Sequence, residues 1–164
     1  MVNDLLKRAF VSCNIPSVRE PSGCNRSDGK RPDGLTLIPW NVRKCLIWDF
    51  TCVDTLAPSY VERSSRKAGE AALLAENRNR LKYQCLESTY IFEPVAIETM
   101  GPWGSSAKKL ISELGKKIFD TTNEVRSCSF LKQRIIISIQ RGKSAAVLGT
   151  LPMDDKIDDF YYLI

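Results

Sequence analysis

The chain has 164 residues, of which 43% are hydrophobic and 26% charged, as expected for one soluble domain with its own core. No stretch approaches the roughly 20 apolar residues of a membrane span. The sequence contains no histidine, which excludes catalysis by a histidine base and argues against a zinc site.

The charge of the chain is unevenly distributed. The formal net charge is +5, but residues 153–164 hold four acids and one lysine, which leaves +8 on the first 152 residues. A basic body favours an anionic partner such as a nucleic acid, although modest positive charge is also common among soluble proteins. The six cysteines form no C-x-x-C pair, and we expect them to be reduced.

The first fifty residues predict a helix, a short strand and a hairpin. Val2–Ser12 has apolar residues at helical spacing, and residues 15–20 predict a short strand. Two runs rich in branched and aromatic residues, 35–38 and 45–52, flank a turn-like segment, which predicts a β-hairpin. Both faces of the hairpin are largely apolar, as in central strands that helices cover on both sides.

Two aspartates share one face of this hairpin. Pairing that is symmetric about Asn41 sets Leu35 opposite Ile47 and Asp33 opposite Asp49. Directly opposed Cβ atoms lie roughly 4.5–5.5 Å apart, so the two carboxylates should lie side by side. Like charges in that position destabilise a sheet unless something compensates them, and a divalent cation is a common compensator.

The segment 61–87 predicts one long helix with a stripe of small residues. The stripe begins at Ala68 and leads to Lys82, which lies within about 40° of the same helix face at 3.6 residues per turn. Lys82 should therefore point toward the sheet, as the alanines do. A lysine that extends from the helix edge into solvent is the alternative.

The remaining chain predicts one strand and two helices. Residues 89–98 predict a strand, and Pro94 within it indicates a bulge or a place near the sheet edge. Helices are predicted at 105–120 and at about 127–148. The order predicts an α/β sandwich that starts α-β-β-β-α-β, with a mixed sheet flanked by helices and extra C-terminal helices.

The placement of the acids resembles that of the PD-(D/E)-x-K nuclease superfamily, with Pro32-Asp33 and Asp49-Phe50-Thr51 as the motif residues. The sequence around these motifs is similar to that of the restriction-like endonuclease domain of animal non-LTR retrotransposon polyproteins. The similar stretches are EPSGCNRSDGKRPDG, WDFTCVDTLAPSY, AGEAALLAENRNRLKY, FEPVAIETMGPWG and FLKQRIIISIQRGKSAAVLGTLP. The resemblance implies a nuclease domain over residues 1–152, whereas 153–164 do not match and are interpreted as a divergent acidic tail.

This resemblance implies a restriction-endonuclease-like core and a metal-dependent activity that nicks DNA and so primes reverse transcription. The partners would be DNA and the reverse transcriptase of the same polyprotein. Asp33, Asp49 and the main-chain oxygen of Phe50 match the ligands of Mg²⁺, or of Mn²⁺ in its place. We expect the nucleus as the location, with the cytoplasm as the alternative.

The catalytic lysine is expected from outside the usual motif. Thr51 stands where the superfamily has its lysine, and Lys82-Tyr83 matches a Lys-Tyr pair that related domains supply from the following helix. The resemblance thus implies that Lys82 orients water or stabilises charge, with Thr51 and Tyr83 beside it. Glu20 is a candidate further acid, and a solvated acid is the alternative.

Basic residues on both sides of the motif are candidates for nucleic-acid binding. They are Arg26, Lys30, Arg31, Arg141 and Lys143, whose contacts with phosphates would be independent of sequence. A solvated charge is the alternative for each of them, and the favoured one for each residue taken alone. A second class of function also stays open: an inactive or domesticated copy that acts as a nucleic-acid or protein binding module.

Overall fold

The structure, a computed structural model, describes residues 1–24 and 29–150. The elements in chain order are α1 (Val2–Ser12), β1 (Ser17–Arg19), β2 (Gly34–Thr36), β3 (Leu46–Val53), α2 (Pro58–Ser64), α3 (Glu70–Tyr83), β4 (Ile91–Glu98), α4 (Ser105–Thr122) and α5 (Ser127–Leu148). Arg26 and the acidic tail at 153–164 lie outside the described residues, so their predicted roles remain predictions.

Within the described residues, four strands form one mixed sheet in the order β1-β2-β3-β4. β1 and β2 pair antiparallel, as do β2 and β3, whereas β3 and β4 are parallel. A parallel pair needs a long crossover, which α2 and α3 provide. The predicted α/β class is confirmed, and Pro94 lies on the edge strand β4, where a missing N–H is tolerated.

The predicted register of the hairpin is confirmed, because Leu35 pairs with Ile47. The turn itself is centred later than predicted, at Val42 and Arg43, which have φ angles of 46° and 58°. Residues between β2 and this turn leave the β2–β3 ladder. In place of a backbone hydrogen bond, the Thr36 hydroxyl accepts one from the Leu46 N–H at 2.9 Å. The side chain thus preserves the register across the irregular segment.

Helices cover both faces of the sheet, as predicted for β3. On one face, Trp48 is fully buried among residues of α1, α4 and α5 and stacks on Phe10 with ring centroids 4.8 Å apart. On the other face, Ile47 packs against Tyr83 of α3. Gly34 pairs with Trp48 across the sheet, and a side chain at this position would overlap the indole ring.

The single long helix predicted for 61–87 is wrong, since two helices separated by residues 65–69 replace it. Gly69 has a φ of 90°, a left-handed conformation that glycine adopts readily and that ends any continuous helix. Ala68 is consequently exposed and outside α3. The later members of the stripe, Ala71 and Ala75, are buried against the sheet, so the phase that led to Lys82 is preserved.

The two C-terminal helices agree with their predictions. α4 buries Leu110, Ile111 and Leu114 in the core, and α5 begins and ends where the sequence indicated. In residues 1–24 and 29–150, no helix combines the length and the apolar character that crossing a membrane requires.

Candidate active site

Asp33 lies directly before β2, beside the middle of β3. The last ladder pair is Gly34 with Trp48, and beyond it the Asp33 carboxylate continues the contact between the strands. Its Oδ2 accepts a hydrogen bond from the Phe50 N–H at 2.7 Å. Within the described residues its Oδ1 accepts no hydrogen bond, so this oxygen is available to a ligand.

Asp49 is buried in the middle of β3 and faces the C-terminal turn of α3. Its Oδ1 accepts a hydrogen bond from the Tyr83 hydroxyl at 3.1 Å, and its Oδ2 is 3.7 Å from the Lys82 ammonium nitrogen. The same hydroxyl is 2.8 Å from the carbonyl oxygen of Arg31. Tyr83 therefore links α3 to both the strand and the segment that leads to Asp33.

Four influences act on the ionisation of Asp49. Burial is the largest and raises the pKa of the Asp49 carboxyl, the nearby Lys82 lowers it, the negative charge of Asp33 raises it, and the hydrogen bond from Tyr83 lowers it. The net result is a pKa above the ordinary value of 3.8. A cation bound between the two carboxylates would offset both raising influences.

Lys82 faces the sheet, as its spacing from the buried alanines predicted. Its side chain is 29% exposed, and the ammonium nitrogen lies 4.6 Å from the centre of the Tyr83 ring. The aromatic face and the Asp49 carboxylate thus hold the cationic group at the site. One side of the ammonium remains open to solvent and to a substrate.

Thr51 follows Asp49 on the same face of β3. Its hydroxyl oxygen accepts a hydrogen bond from the Asn79 side-chain amide at 2.9 Å. Asn79 lies three residues before Lys82, so both project from the same side of α3. The sequence alone gives no indication that Thr51 is the partner of Asn79.

The oxygen atoms at this place suit a hard divalent cation. Asp33 and Asp49 provide carboxylates from adjacent strands. The Phe50 carbonyl should face the same side as its N–H, because both groups of a paired strand residue point to one neighbour. Magnesium is usually bound by one or two carboxylates, with water and phosphate as the other ligands. Among the described residues no group of three or more Cys, Asp and Glu side chains could hold a metal, so water or phosphate would have to provide the other ligands of a cation here.

Glu20 does not join the two acids. Its carboxylate is 70% exposed and lies 3.9 Å from Arg19. Its backbone N–H, by contrast, donates to the Asp33 carbonyl at 3.0 Å. The residue thus supports the backbone next to the site, and its side chain contacts Arg19 instead.

The predicted nucleic-acid contacts divide into two groups. Lys30 and Arg31 are exposed and directly precede Pro32-Asp33, at the mouth of the site. Arg141 and Lys143 are on α5, on the opposite face of the sheet. Lys143 is engaged internally, because its ammonium donates to the Thr99 carbonyl at 3.3 Å.

Glu76 is a supporting residue that sequence reasoning missed. This buried residue of α3 accepts hydrogen bonds from the backbone N–H groups of Ser106 and Ala107, at 3.1 and 3.0 Å, and from the Ser105 hydroxyl. It therefore caps the N-terminus of α4 and fixes the position of α3. The partners lie far away in sequence, so Glu76 could not be distinguished from an ordinary solvated helix residue.

No protein-family model matches this sequence, and no curated protein is significantly similar to it. We therefore argue the function from the chemistry of the site. Asp33, Asp49 and Lys82 approach one another from the start of β2, from β3 and from α3, and Tyr83 orients one of the carboxylates. Such a set can hold a hard cation and place a positive charge beside it.

Proposed function

We propose that this chain is the metal-dependent DNA endonuclease domain of a retroelement, with a restriction-endonuclease-like core. It nicks target DNA, and the nick primes reverse transcription by the polymerase of the same polyprotein. The observation that best supports the proposal is that the Lys82 ammonium contacts the Asp49 carboxylate close to Asp33, whose own carboxylate is hydrogen-bonded to the Phe50 N–H. The sequence resemblance assigns a role to each of these three residues.

Asp33, Asp49 and the Phe50 carbonyl would hold Mg²⁺ or Mn²⁺. When bound, such a cation polarises a phosphate and lowers the pKa of a coordinated water. The protein prepares this site before binding, since the Phe50 N–H fixes one carboxylate and the Tyr83 hydroxyl fixes the other. Burial of Asp49 lowers the local dielectric constant and so strengthens its electrostatic attraction to a cation.

Lys82 would donate from its ammonium group to the attacking water or to a phosphate oxygen that gains negative charge. Thr51 occupies the usual lysine position and carries no charge, so the cation must come from α3. Asn79 holds the Thr51 hydroxyl oxygen, which leaves the hydroxyl proton free to donate toward a phosphate or water. Lys30 and Arg31 would contact the phosphates that flank the cut.

The test is nicking of supercoiled plasmid by the Asp49→Asn variant in the presence of Mg²⁺. We expect a loss of at least about 100-fold in rate, because the change removes one of two carboxylate ligands. Asp120→Asn is a matched control, since Asp120 is exposed on α4 and is remote from β3. Nicking by Asp49→Asn at the wild-type rate would overturn the proposal.

An inactive copy that only binds nucleic acid or protein is the second candidate. The observation in its favour is that no third acid joins Asp33 and Asp49 among the described residues. Calorimetric titration of the wild-type chain with Mg²⁺ separates the candidates. Binding that the Asp49→Asn change removes supports the nuclease, and absence of Mg²⁺ binding supports the inactive module.

A further inference from the structure

The helix α5 has an unusual charge. Its 22 residues include Lys132, Arg134, Arg141 and Lys143 but no aspartate or glutamate. It packs with α1 and α4 on the sheet face opposite to α3. A helix with four positive charges and no negative charge is expected to attract a polyanion.

A groove of about 440 Å³ runs between α1 and α5, and three arginines line it. Arg8 comes from α1, and Arg134 and Arg141 come from α5. All three are exposed, and within residues 1–24 and 29–150 their guanidinium groups make no hydrogen bond or ion pair. The one acid in the lining, Asp4, is already paired with Arg19 at 2.6 Å.

The spacing of these arginines suits an extended anion. Arg134 and Arg141 are seven residues apart, so they lie on the same helix face about 10.5 Å apart along the axis. Arg8 reaches the groove from the facing helix. A guanidinium group can bind a phosphate through two parallel hydrogen bonds, which makes arginine well suited to a phosphodiester backbone.

We propose that the α1–α5 groove binds the sugar-phosphate backbone of a nucleic acid, either DNA or RNA, at a surface separate from the two acids. The sheet lies between this groove and Asp49, so a straight duplex at the cleavage site does not reach the three arginines. The groove therefore contacts a different strand, or a more distant part of the same molecule. Leu5 and Ile137 form an apolar floor on which sugars can pack.

The competing occupant is an acidic protein segment. We favour nucleic acid because Arg134 and Arg141 repeat the positive charge over about 10.5 Å along α5, with Arg8 facing them from α1, as the repeated phosphates of a backbone require. This inference does not depend on DNA cleavage. It concerns binding alone, and EDTA in the test removes any contribution from a divalent cation at Asp33 and Asp49.

The test is fluorescence anisotropy of the full chain in EDTA over a range of salt, with labelled duplex DNA, single-stranded DNA, single-stranded RNA and an acidic peptide (oligoglutamate) as probes. The variant is R8Q/R134Q/R141Q. The control is R63Q/K108Q/K116Q, which removes the same charge from exposed residues outside the groove. Thermal unfolding of both variants checks that they remain folded.

We expect the groove variant to bind at least about tenfold more weakly, while the control changes by less than about threefold. On duplex DNA the slope of log affinity against log salt should fall by about 2–3, close to 0.9 for each lost phosphate contact. The probe with the largest loss identifies DNA or RNA. Equal losses in the two variants, or no loss, would overturn the proposal, as would a loss restricted to an acidic peptide probe.

Discussion

The two faces of β3 perform different tasks with neighbouring residues. Trp48 points into the largest apolar cluster of the described residues, which joins the sheet to α1, α4 and α5. Asp49 points the other way, to Tyr83 and Lys82 of α3. The alternation of side chains along one strand thus separates the main source of stability from the candidate chemistry by a single residue.

The α3 face also has a different kind of packing. Its apolar contacts form two small clusters, one around Ile47 and Phe92 and one around Ala72 and Ala96. The polar site lies between them. Because little apolar area is available there, this face depends more on buried hydrogen bonds such as those of Glu76. We expect mutations on the two faces to differ accordingly.

The largest effect is expected for Trp48→Ala on the core face. Removal of a fully buried indole leaves a cavity beside Phe10, and such changes typically cost about 3–5 kcal/mol. Urea unfolding followed by circular dichroism measures the loss. Cys52→Ala, at an exposed position of the same strand, is the control and should change the stability by less than about 0.5 kcal/mol. Similar losses in both variants would show that burial of the indole in the core cluster is not the source of the loss.

The second prediction concerns Glu76→Ala on the α3 face. The change leaves the partly buried N–H of Ser106 and the buried N–H of Ala107 without their acceptor, and we expect a loss of about 2–4 kcal/mol in the free energy of unfolding. Glu76→Gln retains one acceptor oxygen and should lose less. Glu113→Ala, an exposed position on α4, is the control for helix effects. If Glu76→Ala unfolds with the same free energy as the wild type, the small apolar clusters around Ile47 and Ala72 are enough to hold α3 in place.

The third prediction uses Asp49→Asn in the absence of divalent cations. The raised pKa means that the folded chain binds the Asp49 proton more tightly than the unfolded chain does. The ionised carboxylate therefore lowers stability at pH values above its raised pKa, and this penalty disappears as the pH falls to the ordinary value of 3.8. The variant should be more stable than the wild type at neutral pH, by an amount on the order of 1 kcal/mol.

Two further measurements test this explanation. The stability advantage of Asp49→Asn should shrink on acidification toward pH 3.8. Added Mg²⁺ should stabilise the wild type and leave the variant unchanged, since a ligand stabilises the state that binds it. A variant that is less stable than the wild type at every pH would show that attraction to Lys82, and not burial, dominates at Asp49.

The parts of the fold that sequence could predict were those with a strong local pattern. The apolar spacing of α1 and α5 fixed both helices, and the branched residues around Leu35 and Ile47 fixed the register. The break before α3 was missed because Gly69 looks like one tolerated glycine in a helical segment, and only its backbone conformation shows that a new helix begins after it. The approach of Lys82 was predictable from helical phase, even though the Ala68 that opened the stripe lies outside α3.

Contacts between distant segments could not be predicted in this way. Glu76 and α4, Asn79 and Thr51, and the arginines of α1 and α5 meet only through tertiary packing. Polar residues on helices have the same appearance in sequence whether they face solvent or another element. Their partners become visible only when the layers of the fold are known.

The smallest effect is expected for Lys109→Gln, at a charged pair on the core face. The Lys109 ammonium is 3.0 Å from the carboxylate of Glu93 on β4. Glu93 is mostly buried, but the lysine side chain is 61% exposed. Because solvent screens such a pair, we expect a loss of about 1 kcal/mol or less in the free energy of unfolding at neutral pH. Lys108→Gln, at the exposed neighbouring position without an ion pair, should have no measurable effect.

The hydrogen bond to Glu93 raises the pKa of Lys109 above 10.5, so the difference should persist below that pH and disappear as the pH rises through the raised value. A difference that stays constant through strongly alkaline pH would show that the lysine stabilises by packing of its aliphatic stem and not by its charge.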